Sequence, residues 1–194
     1  MGRISVFFCA CGLGFIMNDF FLASNRTVTI HGIEIKQISV KDFDLWCQSA
    51  EPIKQFLEDT EYSNENLQDL FVQHAGDVLK SLALIMDRTP DLLLDLATKQ
   101  DVFLQFVWAM LQINEPYFKP EKHKKTNAKD DSTWFDSFQV LISAGHTHSE
   151  IMNMSYGAFL QYLKSVTKDQ KHQVQRLRFA QHADAKAFKK YASD

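Results

Sequence analysis

The chain has 194 residues, of which 45% are hydrophobic and 23% charged, a balance that supports a packed core and excludes the apolar-poor composition of disordered chains. Seven glycines and four prolines are too few for the closely spaced turns of a sandwich or barrel, so the fold expected is mainly helical. A net charge of −3 gives no global attraction for nucleic acid or anionic lipid. Cys9, Cys11 and Cys47 form neither a disulfide framework nor a paired zinc motif, which reads as an intracellular protein.

Residues 4–16 carry no charge, a run too short to span a membrane and close to the length of a signal-peptide core. No small-residue cleavage site follows, so the expectation is that Met17 is the start and that residues 1–16 are non-structural, upstream-read sequence. From there the chain divides into a hairpin plus helical body at 17–118, a linker at 119–131 and a helical C-terminal module at 132–194.

Val28 and Ile30, then Ile33 and Ile35, alternate about His31-Gly32, which predicts two strands joined by a two-residue turn. Such a hairpin is marginal alone and must rest on the helices that follow. Phe43, Trp46, Cys47 and Ala50 then fall on one helical face with Ser39 as N-cap. Pro52 predicts a break near Glu51 and a new helical start, because proline inside a helix removes a backbone hydrogen bond. After the polar stretch 58–64, the apolar positions from Leu67 to Ile85 mark a long amphipathic helix ending near Asp87.

Thr89-Pro90 and Thr98-x-x-Asp101 read as the caps of two further helices, over about 90–98 and 100–115. The second is apolar over much of its circumference, which predicts a central helix stopped by Pro116. Residues 119–131 hold no aliphatic side chain larger than proline and read as linker. Trp134, Phe135, Phe138, Leu141 and Ile142 form a helical face that ends at Gly145. Thr147-x-x-Glu150 is a capping box, and Ser155 caps a last helix from Tyr156.

Charge is segregated along this framework. Residues 41–118 hold fourteen acidic side chains against five basic ones, a balance of −9, whereas residues 168–190 carry seven Lys or Arg against two Asp, a balance of +5. No glycine-rich phosphate loop, nucleophile elbow or H-E-x-x-H motif is present, so no enzyme activity, cofactor or metal is expected. His146 and His148 flank the Thr147 cap and read as loop residues. His74 and Cys47 lie on apolar helix faces and read as core. The helix, turn, helix order of 138–163 raises a DNA-binding helix-turn-helix regulator as the alternative function. The helix opening at Ser155 offers Tyr156, Gly157, Ala158 and Gln161, with no Lys or Arg before Lys164, so base readout is disfavoured.

Three stretches carry a resemblance. They are Val28-Thr-Ile-His-Gly-Ile-Glu-Ile-Lys36 with Asp42-Phe-Asp-Leu-Trp46 and Ala50-Glu-Pro-Ile53; Leu84-Ile-Met-Asp-Arg-Thr-Pro-Asp-Leu-Leu93 running on to Val107–Phe118; and Leu141–Ile151 with Met154, Ser155, Tyr156, Gly157 and Phe159. Together they resemble the tail assembly chaperones of long-tailed bacteriophages, the lambda-type pair that handles the tape measure protein. The resemblance implies a non-enzymatic protein of the host cytoplasm, absent from the mature virion, that keeps the tape measure protein soluble and recruits tail tube subunits. It implies no membrane partner and leaves self-association open. In that family a ribosomal frameshift adds the second module, and Lys124-Lys125 in the linker lies where such a junction falls. On this reading the aromatic faces of Trp108, Trp134 and Phe135 meet the tape measure protein, and Arg176, Arg178, Lys189 and Lys190 meet the tube protein.

Overall fold

The computed structural model describes residues 25, 27–58, 60, 62–119 and 133–182. The expectations for residues 1–16, for most of the 119–131 linker, and for Cys9, Cys11, Lys124, Lys125, Lys189 and Lys190 fall outside these.

The chain is mainly α with an N-terminal hairpin. Strands β1 (Val28–Ile30) and β2 (Ile33–Ile35) pair antiparallel, with Val28 opposite Ile35 and Ile30 opposite Ile33. His31 and Gly32 both take positive φ, 47° and 78°, the mirror-image turn whose twist matches the strands. Val28, Ile30 and Ile35 are buried, so the hairpin lies on the helices as its patterning requires.

A single 3₁₀ turn, Val40–Asp42, leads into α1 (Phe43–Leu57). Ser39 therefore opens that turn rather than α1. The expected break at Pro52 does not occur: α1 runs through it. Trp46, Ala50, Ile53 and Leu57, on both sides of the proline, are buried in one cluster, and their shared packing outweighs the lost hydrogen bond and ring clash.

Helix α2 (Asn64–Ile85) packs extensively along α1. Their contact holds a buried hydroxyl pair: Ser49 Oγ lies 2.8 Å from Ser81 Oγ and donates to the Trp46 carbonyl at 3.1 Å. His74 leaves helical geometry (φ −128°, ψ 32°). Its ring meets Phe56 edge-on at 5.7 Å and its Nδ1 lies 3.5 Å from Asp77, so it is half-buried at a kink rather than core. The end of α2 is held by Asp87 with φ 50° and by the Arg88 amide donating back to the Ala83 carbonyl at 2.9 Å, the closing bond of a Schellman motif. The Lys36 amide reaches the Ile85 carbonyl at 2.9 Å and the Lys36 ammonium pairs with Asp87, so the hairpin is fastened to this helix end.

Helix α3 (Pro90–Ala97) starts at Thr89-Pro90 as expected. The Thr98 capping box does not form. Its hydroxyl donates to the Asp95 carbonyl at 2.7 Å, and α4 (Gln100–Ile113) begins instead from Lys99. Thr98 serves the end of α3, because the connection is too short for it to cap the next helix as well. Helix α4 is central: eight of its residues, from Phe103 to Ile113, are buried. It ends at Asn114, beyond which Pro116 sits in the first turn of α5 (Glu115–Phe118). Buried Asn114 accepts from the Ile38 amide at 2.9 Å and donates to the Met110 carbonyl at 3.1 Å.

Beyond the linker come α6 (Trp134–Ser143), α7 (His148–Asn153) and α8 (Tyr156–His182). Gly145, φ 100°, closes α6, with the His146 amide bonded to the Leu141 carbonyl at 3.1 Å. The Thr147–Glu150 box forms in both directions: Thr147 Oγ1 accepts from the Glu150 amide at 3.2 Å, and Glu150 accepts from the Thr147 amide at 2.8 Å. Thr133 and Asp136 cap α6 in the same way. These backbone bonds hold the Glu150 and Asp136 carboxyls below the usual range. Replacing Thr147 by alanine is expected to cost about 1 kcal/mol, read as a drop in Tm of roughly 2–4 °C for a chain of this size. An unchanged Tm would mean that the cap does not hold α7.

Candidate functional site

Two buried clusters meet along one seam. The larger joins the hairpin to α1–α5; the smaller joins Val40 to Leu141, Ile151, Met154, Ala158 and Phe159. Across the seam Ser39 and Ser155 form an antiparallel bridge, the Val40 amide donating to the Met154 carbonyl at 2.9 Å and the Tyr156 amide to the Ile38 carbonyl at 2.7 Å. Ser155 caps α8 as expected, its Oγ accepting from the Ala158 amide at 3.1 Å. It also lies 3.1 Å from Gln37 Oε1, and its amide donates to Asn25 Oδ1 at 2.8 Å.

Aromatic rings fill the same seam. Phe43 stacks on Tyr156 with centroids 4.2 Å apart and touches Trp134 at 5.3 Å and Tyr117 at 5.7 Å. Trp134 stacks on Phe159 at 5.4 Å. Tyr117 donates to Glu51 Oε2 at 2.6 Å. Burial, and donation to that carboxylate, push the Tyr117 phenol up, while the same bond holds Glu51 below the usual carboxyl range. Cys47, half-buried beside them, is raised by burial, which disfavours the reactive thiolate.

The Glu51 shift has a definite sign. A carboxyl depressed in the folded state stabilises above its unfolded pKa, and that contribution is lost as pH falls through the folded value. Wild type should therefore exceed Tyr117→Phe in Tm at neutral pH by more than it does at about pH 3. A gap that stays constant between the two pH values would show that the phenol and carboxylate are not coupled.

The residues expected to meet partners separate into three environments. Trp108 is packed: it is half-buried, its Nε1 donates to Asn64 Oδ1 at 2.9 Å, and Tyr62 meets its ring at 6.2 Å. Burial pushes the Tyr62 phenol up to about 12, and the Lys119 ammonium lies 4.0 Å from its ring centroid. Trp108 therefore fastens α4 to the start of α2. Trp134 is divided between seam and surface, 45% exposed, whereas Phe135 is 68% exposed. Ile142, 39% exposed and seven residues beyond Phe135, extends the same outer face of α6. That seven-residue spacing was available in the sequence and marks Ile142 as part of the face.

Arg176 and Arg178 are both exposed on α8, but two residues apart on a helix they point to opposite sides. Arg176 shares the side of Asp169, which accepts from Gln173 at 2.7 Å. Arg178 continues a line through Lys168 and Lys171 that the total charge conceals.

The first turn of the helix that a helix-turn-helix would present to DNA is largely covered. Gly157 and Ala158 are buried and Tyr156 and Gln161 half-buried, whereas base readout needs these opening positions of a recognition helix exposed in the major groove. His146 packs against Tyr162 at 5.1 Å and His148 against Phe138 at 6.1 Å. Among the described residues no group of three or more His, Cys, Asp or Glu is placed to hold a metal ion, and no helix is long and apolar enough to cross a membrane. No family model, curated protein or solved structure matches the chain.

Proposed function

We propose that this chain is a tail assembly chaperone of a long-tailed bacteriophage, a non-enzymatic protein of the host cytoplasm. In this role it holds the tape measure protein in soluble form, recruits tail tube subunits to it, and leaves before the virion is complete. The observation that carries the reading is the outer face of α6, where Trp134, Phe135 and Ile142 are exposed on a helix whose inner face is packed. An apolar strip rimmed by polar residues and mounted on a fixed helix suits the apolar stripe of another helix. A tape measure protein, long and mainly helical in the family that the sequence resembles, offers many such stripes. The exposed Arg176 and Arg178, on two sides of α8, support contact with a second partner, the tube protein, and Lys189 and Lys190, beyond the described residues, are assigned to the same contact from the sequence alone. The covered first turn of α8 weighs against the helix-turn-helix reading.

Co-expression tests this directly. A tagged chain is expected to keep the tape measure protein in the soluble fraction and co-purify with it. Deleting residues 168–194 is expected to abolish capture of tube subunits while leaving the tape measure protein bound. A tape measure protein that stays insoluble beside the folded chain would contradict the first assignment, and unchanged tube capture after the deletion the second.

A further inference from the structure

The second half of α8 presents its side chains to solvent. Every residue of 168–182 except the half-buried Phe179 is exposed, with Val174 at 51% and Leu177 at 63%. The face so exposed is rich in charge of one sign, which suits a covering surface of the opposite sign. Lys168, Lys171 and Arg178, with Gln175 and His182 between and beyond them, form one stripe at steps of three and four residues. Helix α1 carries the complementary pattern. Asp44, Gln48, Glu51, Gln55 and Glu58, the last at its C-cap, are all exposed and follow the same steps of four, three, four and three residues. Glu51 and Glu58 thus match Lys171 and Arg178 in spacing and oppose them in sign. Leu45, 58% exposed, flanks the acidic stripe as Val174 flanks the basic one.

We propose that the basic stripe of α8 docks on the acidic stripe of α1 in a second copy of this chain. Among the described residues the two stripes form no ion pair with each other within one chain, and each copy carries both halves of the contact. Exchange between two copies closes the arrangement reciprocally, and head-to-tail repetition gives a ring. Arg178 belongs to the surface assigned above to the tube protein, so an acidic tube surface and a second copy compete for it. The inference does not depend on the proposed function, because it uses only the charge pattern of this chain.

Light scattering on the purified full chain tests it. At about 0.05 M salt the mass is expected at twice 22.4 kDa or a higher whole multiple, falling to the single-chain mass at about 1 M, where the screening length is about 3 Å. Lys168→Glu, Lys171→Glu and Arg178→Glu combined should give a single-chain mass, and so should Asp44→Lys with Glu58→Lys. Opposite effects of the latter pair on the helix dipole at the two ends of α1 limit its cost to folding, and circular dichroism checks this. The equimolar mixture of the two variants presents opposite charges at both contacts and should recover the multiple. A single-chain mass for wild type at low salt, or a multiple that survives both reversals, would overturn the proposal. So would a monomeric wild type whose α8 stripe instead binds labelled RNA or duplex DNA.

Discussion

Phe43→Ala is expected to loosen the C-terminal module from the body before it unfolds either. The Phe43 ring stacks on Tyr156 and contacts Trp134, Tyr117 and Trp46, so its removal takes material from both sides of the seam at once. Phenylalanine-to-alanine changes in cores cost about 3–5 kcal/mol, and the partial exposure of Phe43 places it near the lower figure, about 3 kcal/mol. The loss should be uneven. Hydrogen exchange should accelerate most in α6, α7 and the first turns of α8, which reach the body through this seam, and less in α2 and α4. Phe43→Leu, which keeps part of the volume, should fall between. Equal acceleration throughout would mean that the two clusters unfold as one unit and that the seam is not the weak plane.

The largest stability loss is expected at Trp46. It is fully buried against Tyr117 at 4.9 Å and Phe118 at 5.6 Å, and Trp46→Ala should cost about 4 kcal/mol through lost transfer energy and the cavity left behind. That is a large part of a typical net stability of about 5–15 kcal/mol. Trp46→Phe should cost far less. It retains a ring at the centre of the aromatic group and removes the indole Nε1, a buried donor with no hydrogen-bond partner among the described residues. An unmade buried hydrogen bond costs about 1–3 kcal/mol, which offsets much of the volume lost with the smaller ring. Chemical denaturation with both variants reads the difference. Equal costs would show that the position demands the indole itself.

Local rules reveal the hairpin, the Thr89-Pro90 start, the Thr147–Glu150 box and the Ser155 cap, because each is decided by residues within a few positions of one another. The Thr133–Asp136 box obeys the same rule, but the polar residues that precede it in the sequence hide it among many equally polar positions. Pro52 shows where local rules fail: its helical cost is real, but Trp46 and Ala50 before it and Ile53 and Leu57 after it bury into one core, and tertiary packing decides. The seam has no local signal at all. Ser39 and Ser155 pair across most of the chain, and Phe43 reads equally well as an ordinary core residue until Tyr156 is seen stacked on it.

The candidate surfaces were partly legible for similar reasons. An aromatic count cannot separate Trp108, which is hydrogen-bonded to Asn64 and packed, from Phe135, which is exposed. Both lie on amphipathic helices, and only packing tells them apart. The basic character of residues 168–190 is visible in the sequence as a sum, which carries no phase. Assigning a helix there aligns Lys168, Lys171 and Arg178 and turns Arg176 away.

The most direct measurement is the affinity of the purified chain for a helical segment of the tape measure protein, compared between wild type and a Phe135→Asp, Ile142→Asp double variant. Both residues are exposed and neither contributes a ring to the seam, so the variant should retain the wild-type circular dichroism and Tm. If the outer face of α6 shelters the client, Kd should rise at least about tenfold, equivalent to about 1.4 kcal/mol. An unchanged Kd in the folded variant would contradict the account.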